Sequence, residues 1–138
     1  MVYSFSSSNR GSKFLDIEFI IENINESELE IQLPSWRPGR YQLADFAKNI
    51  QKFNVKTLNN KVVKFDKITK DRWRIYCGNV KKIKITYNYY SNDLNAGSTW
   101  IDENQIYVNP VNCCFYVVGR DNESIKLNFE HSQHKQTA

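Results

Sequence analysis

"FLDIEFIIENINESELEIQL" runs from Phe14 to Leu33, and its reading decides the fold. In its first half Leu15, Ile17, Phe19 and Ile21 fall on one side of a period of two, with Asp16, Glu18 and Glu22 on the other. Side chains two apart share a face of a strand, so this is a strand with one apolar and one acidic side. "ELEIQL" repeats the pattern, with Leu29, Ile31 and Leu33 facing one way and Glu28, Glu30 and Gln32 the other. The polar "NINES" between them predicts a turn, and the whole predicts a hairpin with one face in water.

The same period runs outward from this stretch. "QKFNVKTL", "KVVKFDKI", "DRWRIYC" and "KKIKITYNYY" follow, separated by the turn-like "NN", "TK" and "GN". Their inward sets are Phe53 and Val55; Val63 and Phe65; Trp73, Ile75 and Cys77; and Ile83, Ile85, Tyr87 and Tyr89. "SNDLNAGS" reads as a loop, and "TWIDENQIYVN" as a hairpin turning at Asp102 to Asn104. "CCFYVVG" is an unbroken apolar run, which predicts a strand covered on both faces. "RDNES" then turns into "IKLNF". About nine or ten short strands at regular spacing predict an all-β, two-sheet antiparallel β-sandwich. One short helical turn is compatible with Leu43, Phe46, Ala47 and Ile50 at i, i+3, i+4 and i+7.

A chain of 138 residues fits one domain with one core. The predicted sandwich occupies residues 1–130. The polar tail 131–138 is expected to begin a linker. At 41% hydrophobic and 14% aromatic, the chain is too apolar for a disordered segment. No apolar run approaches the ~20 residues a membrane helix needs. "MVYSFSSSNRGSKF" lacks the apolar stretch of a secretory signal, so a cytoplasmic location is expected and no membrane partner. Cys77, Cys113 and Cys114 are odd in number and lack metal-ligand spacing, which predicts reduced thiols in or near the core.

Catalytic patterns are scarce. The histidines are His131 and His134, both in the polar tail, and their spacing is not that of a helical zinc pair. A Cys77–His131 dyad would need that tail to return to the core. Asp93, Asp102 and Glu103 sit in turns, where carboxylates are ordinary. No glycine-rich phosphate loop is present. The sequons at Asn25 and Asn122 matter only in a secretory pathway. These residues predict no catalytic group, no metal site and no cofactor in this chain.

Charge is more informative. The net charge of +4 hides a segment from Arg37 to Lys84 with 14 basic and 3 acidic residues, a balance of +11; the remainder stands at −7. Alternation turns Lys52, Lys56, Lys64, Arg72, Arg74, Lys82 and Lys84 away from the core. If their strands are neighbours, they form one positive sheet face. Three readings are open: a solvated face, a docking face for an acidic partner or second domain, and a β-barrel-like face for single-stranded nucleic acid. A nucleic-acid face needs outward aromatics, and Tyr76 is the clearest of few. The aromatic content alone also allows a β-sandwich module for a carbohydrate or another protein.

"LPSWRPGRYQLADFAKNI", Leu33 to Ile50, interrupts the strands. Pro38 and Gly39 suit the two central positions of a type II turn, with Trp36 and Tyr41 flanking it. It reads as a corner between sheets. Trp36, Arg37, Gly39, Arg40 and Tyr41 are the candidate residues to face a ligand or neighbouring domain. The stretch resembles the W-x-P-G-x-Y motif near the N-terminus of glycyl-aminopeptidase-like zinc metallopeptidases, through Pro34, Trp36, Pro38, Gly39, Tyr41, Phe46 and Ala47. The tyrosine-rich strand, the N-D-L loop, the hairpin and "CCFYVVG" before "SIKLNF" follow in the same order, so the resemblance spans Tyr3 to Phe129. It implies an N-terminal, non-catalytic β domain. The catalytic domain with H-E-x-x-H and zinc would lie outside these residues. It further implies that the partner is this downstream domain, that peptide substrate is met only indirectly, and that the corner residues line the interface or cleft.

Overall fold

The computed structural model describes residues 1–6, 14–33, 50–90, 100–101, 106–107, 114–120 and 123–129. Every regular element among them is a strand: β1 (Val2–Ser6), β2 (Phe14–Ile21), β3 (Glu28–Gln32), β4 (Ile50–Thr57), β5 (Phe65–Thr69) and β6 (Arg72–Tyr76). After these come β7 (Ile83–Tyr90), β8 (Trp100–Ile101), β9 (Ile106–Tyr107), β10 (Tyr116–Val117) and β11 (Lys126–Phe129). They form a five-stranded sheet in the order β11-β1-β2-β7-β4, a four-stranded sheet in the order β10-β3-β6-β5, and the separate pair β8-β9. The predicted sandwich is thus the observed architecture. The β8-β9 pairing, Trp100 opposite Tyr107, is the predicted second hairpin. Of the predicted helical turn, Leu43, Phe46 and Ala47 lie outside the described residues, and Ile50 opens β4 as a strand residue.

Alternation does most of the work of making the core. Leu15, Ile17, Phe19 and Ile21 are buried from β2, and Ile83, Ile85, Tyr87 and Tyr89 from β7. Leu29, Ile31, Trp73 and Ile75 close the core from the other sheet. Aromatic rings bridge the two layers. Phe53 of β4 stacks on Trp73 of β6 with centroids 5.1 Å apart, and Tyr87 meets Phe115 edge-on at 5.3 Å. Such pairs contribute roughly 0.5–1.5 kcal/mol beyond the area they bury. Tyr3 adds a polar tie between layers: its hydroxyl donates to the Phe115 carbonyl at 3.0 Å and accepts from the Phe115 N–H at 2.5 Å.

Three local readings change. The Phe14–Leu33 stretch is not a hairpin. Its strands each alternate as expected, but β2 pairs with β1 and β7 while β3 pairs with β6 and β10. The connection crosses between sheets because Ile24, inside "NINES", is itself buried. The Ile24 N–H donates to the Lys81 carbonyl and the Cys77 and Gly78 N–H groups donate to the Ser27 carbonyl, which holds the crossing against the β6–β7 connection. Second, "CCFYVVG" is not covered on both faces. Phe115 and Val117 are buried, but Tyr116 and Val118 are 40% and 41% exposed, because β10 is a sheet edge with one face outward. Third, β11 runs parallel to β1, Val2 opposite Lys126, whereas the other pairings are antiparallel.

β4 carries a bulge that positions the outer face. Ile50 and Gln51 stand opposite Tyr89 and Asn88, then Asn54 and Val55 opposite Thr86 and Ile85, so Lys52 and Phe53 together face Tyr87. Lys52 has φ +57°, the left-handed conformation of a bulged residue. The extra residue resets the phase, so Ile50 packs on the core together with Phe53 and Val55.

Candidate docking faces

A two-sheet sandwich has two outer faces, and here their chemistry differs. On the four-stranded sheet, "ELEIQ" of β3 lies antiparallel to "RWRIY" of β6, which sets Glu30 opposite Arg74 and Gln32 opposite Arg72. Arg72 donates from Nη1 to Glu30 Oε1 at 2.9 Å and from Nε to Gln32 Oε1 at 2.6 Å. Arg74 donates from Nη2 and Nε to Glu30 Oε2, at 2.9 and 3.2 Å, and Glu28 lies 3.8 Å from its Nε. The hydrogen bond from Arg74, with Arg72 adding to it, holds the Glu30 carboxyl below its ordinary pKa. On the next rung the Tyr76 hydroxyl donates to Asp66 at 2.8 Å, which pushes the phenol pKa up, and Lys64 Nζ lies 5.4 Å from the Tyr76 ring. Charge on this face is therefore answered by neighbours in the same sheet.

The outer face of the five-stranded sheet is polarised. One end is polar and acidic: Ser6, Asp16 and Asn88 share a rung, then Ser4, Glu18 and Thr86. Asn88 donates to the Asp16 carboxylate. An open groove of about 410 Å³ runs over Ser4, Ser6, Asp16, Glu18, Asn88 and the bulged Lys52. The other end is basic. Lys84 of β7 stands directly opposite Lys56 of β4, and Lys56 is bridged in turn to Val62. Lys82, just before β7, lies 3.6 Å from Glu22.

The seven cations expected to share one face are thus divided. Lys52, Lys56 and Lys84 lie on the five-stranded sheet with Lys82 at its margin, while Lys64, Arg72 and Arg74 lie with the four-stranded sheet. None of the seven is buried, but strands adjacent in sequence joined different layers. The signal for the arginine lattice was present in the sequence, as matched alternation of Glu28, Glu30 and Gln32 with Arg72, Arg74 and Tyr76. Trp36, Arg37, Gly39, Arg40 and Tyr41 lie outside the described residues.

The described residues offer little for chemistry. They contain no group of three His, Cys, Asp or Glu side chains able to hold a metal ion, so they do not fit a zinc site; His131 and His134 lie outside them. Cys77 is a free, buried thiol, and burial pushes its pKa up to about 11, with Glu26 adding to the shift. That is the opposite of a nucleophile's environment. Cys114 is half-buried against the core. Trp73 is buried and belongs to no exposed aromatic row. No helix among the described residues is long and apolar enough to cross a membrane.

Comparison with known proteins then places the chain. A family model described as the Peptidase M61 N-terminal domain matches residues 2–138. The chain belongs to this family. Among solved structures, the M61 N-terminal domain is similar to the crystal structure of an aminopeptidase N family protein from Idiomarina loihiensis, at 25% identity and a TM-score of 0.86. The match covers 94% of this chain and 22% of that one, so the M61 domain spans about a fifth of the protein it resembles. No curated protein sequence matches the chain.

Proposed function

We propose that this chain is the non-catalytic N-terminal domain of a zinc aminopeptidase-like metallopeptidase, packing against a downstream catalytic domain and lining one side of its cleft. The observation that carries this reading is the match of 94% of the chain to only 22% of an aminopeptidase N family protein. A fold shared at that length leaves the larger part of such a protein to do the chemistry. The ligand set for zinc, and the zinc, would belong to that larger part, and this chain's residues take no step in the reaction. Trp36, Arg37, Gly39, Arg40 and Tyr41 are the residues assigned to the interface or cleft, and peptide substrate meets the domain only there. The polypeptide is assigned to the cytoplasm.

The test compares three polypeptides. The 138-residue chain alone is expected to hydrolyse no aminoacyl p-nitroanilide, with or without added zinc. The polypeptide read through to a downstream H-E-x-x-H segment is expected to hydrolyse it. Removing residues 1–129 from that polypeptide is expected to lower activity by about tenfold or more, through misplacement of the cleft. Hydrolysis by the isolated chain, or a downstream coding sequence without H-E-x-x-H, overturns the reading.

A further inference from the structure

We propose that the lysine end of the five-stranded sheet's outer face is a docking surface for an acidic polypeptide segment that also carries an apolar side chain. Lys56 and Lys84 are opposed across β4 and β7. Like charges directly opposite one another destabilise a sheet. Among the described residues neither makes an ion pair, nor does the exposed Lys61. Two carboxylates, one just after β2 and one within it, flank this rung. Glu22 lies 3.6 Å from Lys82, with both side chains about half exposed at 43% and 53%. Glu18, opposite Thr86, makes no ion pair among the described residues. The other sheet of the same sandwich answers Arg72 and Arg74 with the Glu30 carboxylate, 2.9 Å from each. A surface that leaves its cations opposed and unanswered is complemented from outside.

Shape and polarity select the occupant. The turn after β4 is fixed locally: Thr57 N–H donates to the Lys61 carbonyl, Asn60 N–H to the Thr57 carbonyl, and Asn60 takes φ +68°. This turn holds Leu58 out at 46% exposure and leaves Val62, beside Lys56, 78% exposed. Between the turn and the β6–β7 connection lies a cleft of about 400 Å³, lined by Thr57, Leu58, Asn59, Lys61, Val80 and Lys82. It lies one residue further along β4 than the Lys56–Lys84 rung. Two large exposed aliphatic side chains among lysines fit an apolar residue flanked by carboxylates. A nucleic-acid strand would want aromatic platforms, and none lines this cleft. The proposal stands whether or not a catalytic domain follows the chain.

The probe is a fluorescein-labelled peptide of alternating glutamate and leucine, titrated with the 138-residue chain. Anisotropy is expected to rise saturably at low salt and to weaken as salt screens the lysines. Lys56→Gln with Lys84→Gln is expected to weaken binding at least about fivefold while raising the melting midpoint, since it removes a like-charge pair. Val62→Ser is expected to weaken binding without a salt dependence of its own. Lys64→Gln with Lys67→Gln, on the other sheet, is expected to leave binding unchanged. Three results overturn the proposal: no saturable binding, equal binding of a peptide with glutamine in place of glutamate, or binding indifferent to Lys56 and Lys84. Tighter binding of a single-stranded oligonucleotide through the same lysines also overturns it, assigning the surface to nucleic acid.

Discussion

Two buried polar groups show how single residues set the behaviour of this domain. Cys77 is inward because it continues the Trp73, Ile75 alternation, and its thiol pKa is pushed up to about 11 by burial. A group whose pKa is higher folded than unfolded stabilises the fold below its unfolded pKa and loses that contribution as pH rises through the folded value. Stability is therefore expected to fall between about pH 9 and pH 11, and Cys77→Ala is expected to flatten that slope in urea titrations. Cys77 is also expected to react with a thiol reagent at pH 8 only as fast as the domain unfolds; rapid labelling of native protein at Cys77 would contradict its burial. Tyr3 is the second case. Its hydroxyl satisfies both backbone groups of Phe115. Tyr3→Phe keeps the ring but strands a buried N–H and C=O, at a cost of roughly 1–3 kcal/mol. A denaturation midpoint within error of the parent's would show that water replaces the hydroxyl.

At the scale of strands, the Glu30 lattice makes a prediction about acid. Glu30 has a lowered pKa, through Arg74 first and then Arg72. Its contribution is present above the ordinary carboxylate pKa and is lost as pH falls through the lowered value. Glu30→Gln is expected to cost up to about 1 kcal/mol at neutral pH, the scale of a partly exposed pair, and almost nothing once Glu30 itself is protonated. A destabilisation that does not shrink as pH falls below the ordinary carboxylate range would mean that the side chain matters for packing and not for charge. The same strands show what was legible. Which way Leu29, Arg74 or Ile85 points follows from a period of two, a local property, and these faces could be read from sequence. Which strand lies beside which does not follow locally. Thus "NINES" read as a hairpin turn, although Ile24 is drawn into the core and β3 into the other sheet. The bulge at Lys52 escaped for a related reason: it is needed only because Ile50 and Val55 must both face inward opposite β7.

At the scale of the molecule, pairing of the first and last described strands closes the fold. The basic face anticipated from sequence was an assumption about neighbours, and the two-layer topology divided it; the corner at Trp36 carried the family resemblance, which the M61 match bears out at the level of the family. β11 adds to the outer side of β1 in parallel, Tyr3 opposite Leu127 and Phe5 opposite Phe129, and the Lys126 N–H donates to the Met1 carbonyl. Arg120 secures the approach to β11: it donates to the Glu22 carbonyl at 2.9 Å and to both Glu123 oxygens, which raises its own pKa and lowers that of Glu123. Parallel pairing of two chain-distant strands can form only after the intervening sandwich exists, so β11 should order late in folding. Without it β1 becomes an edge, with Tyr3 and Phe5 beside an open row of backbone donors and acceptors. A chain ending at Ser124 is therefore expected to melt well below the parent and to self-associate in gel filtration, whereas one ending at Phe129 keeps β11 and is expected to match it. Lys126→Pro removes the N–H that reaches Met1 without shortening the chain, and is expected to reproduce part of the same loss. If the chain ending at Ser124 stays monomeric with an unchanged midpoint, β11 is an appendage and the domain proper is the four strands β1, β2, β7 and β4 against their partner sheet.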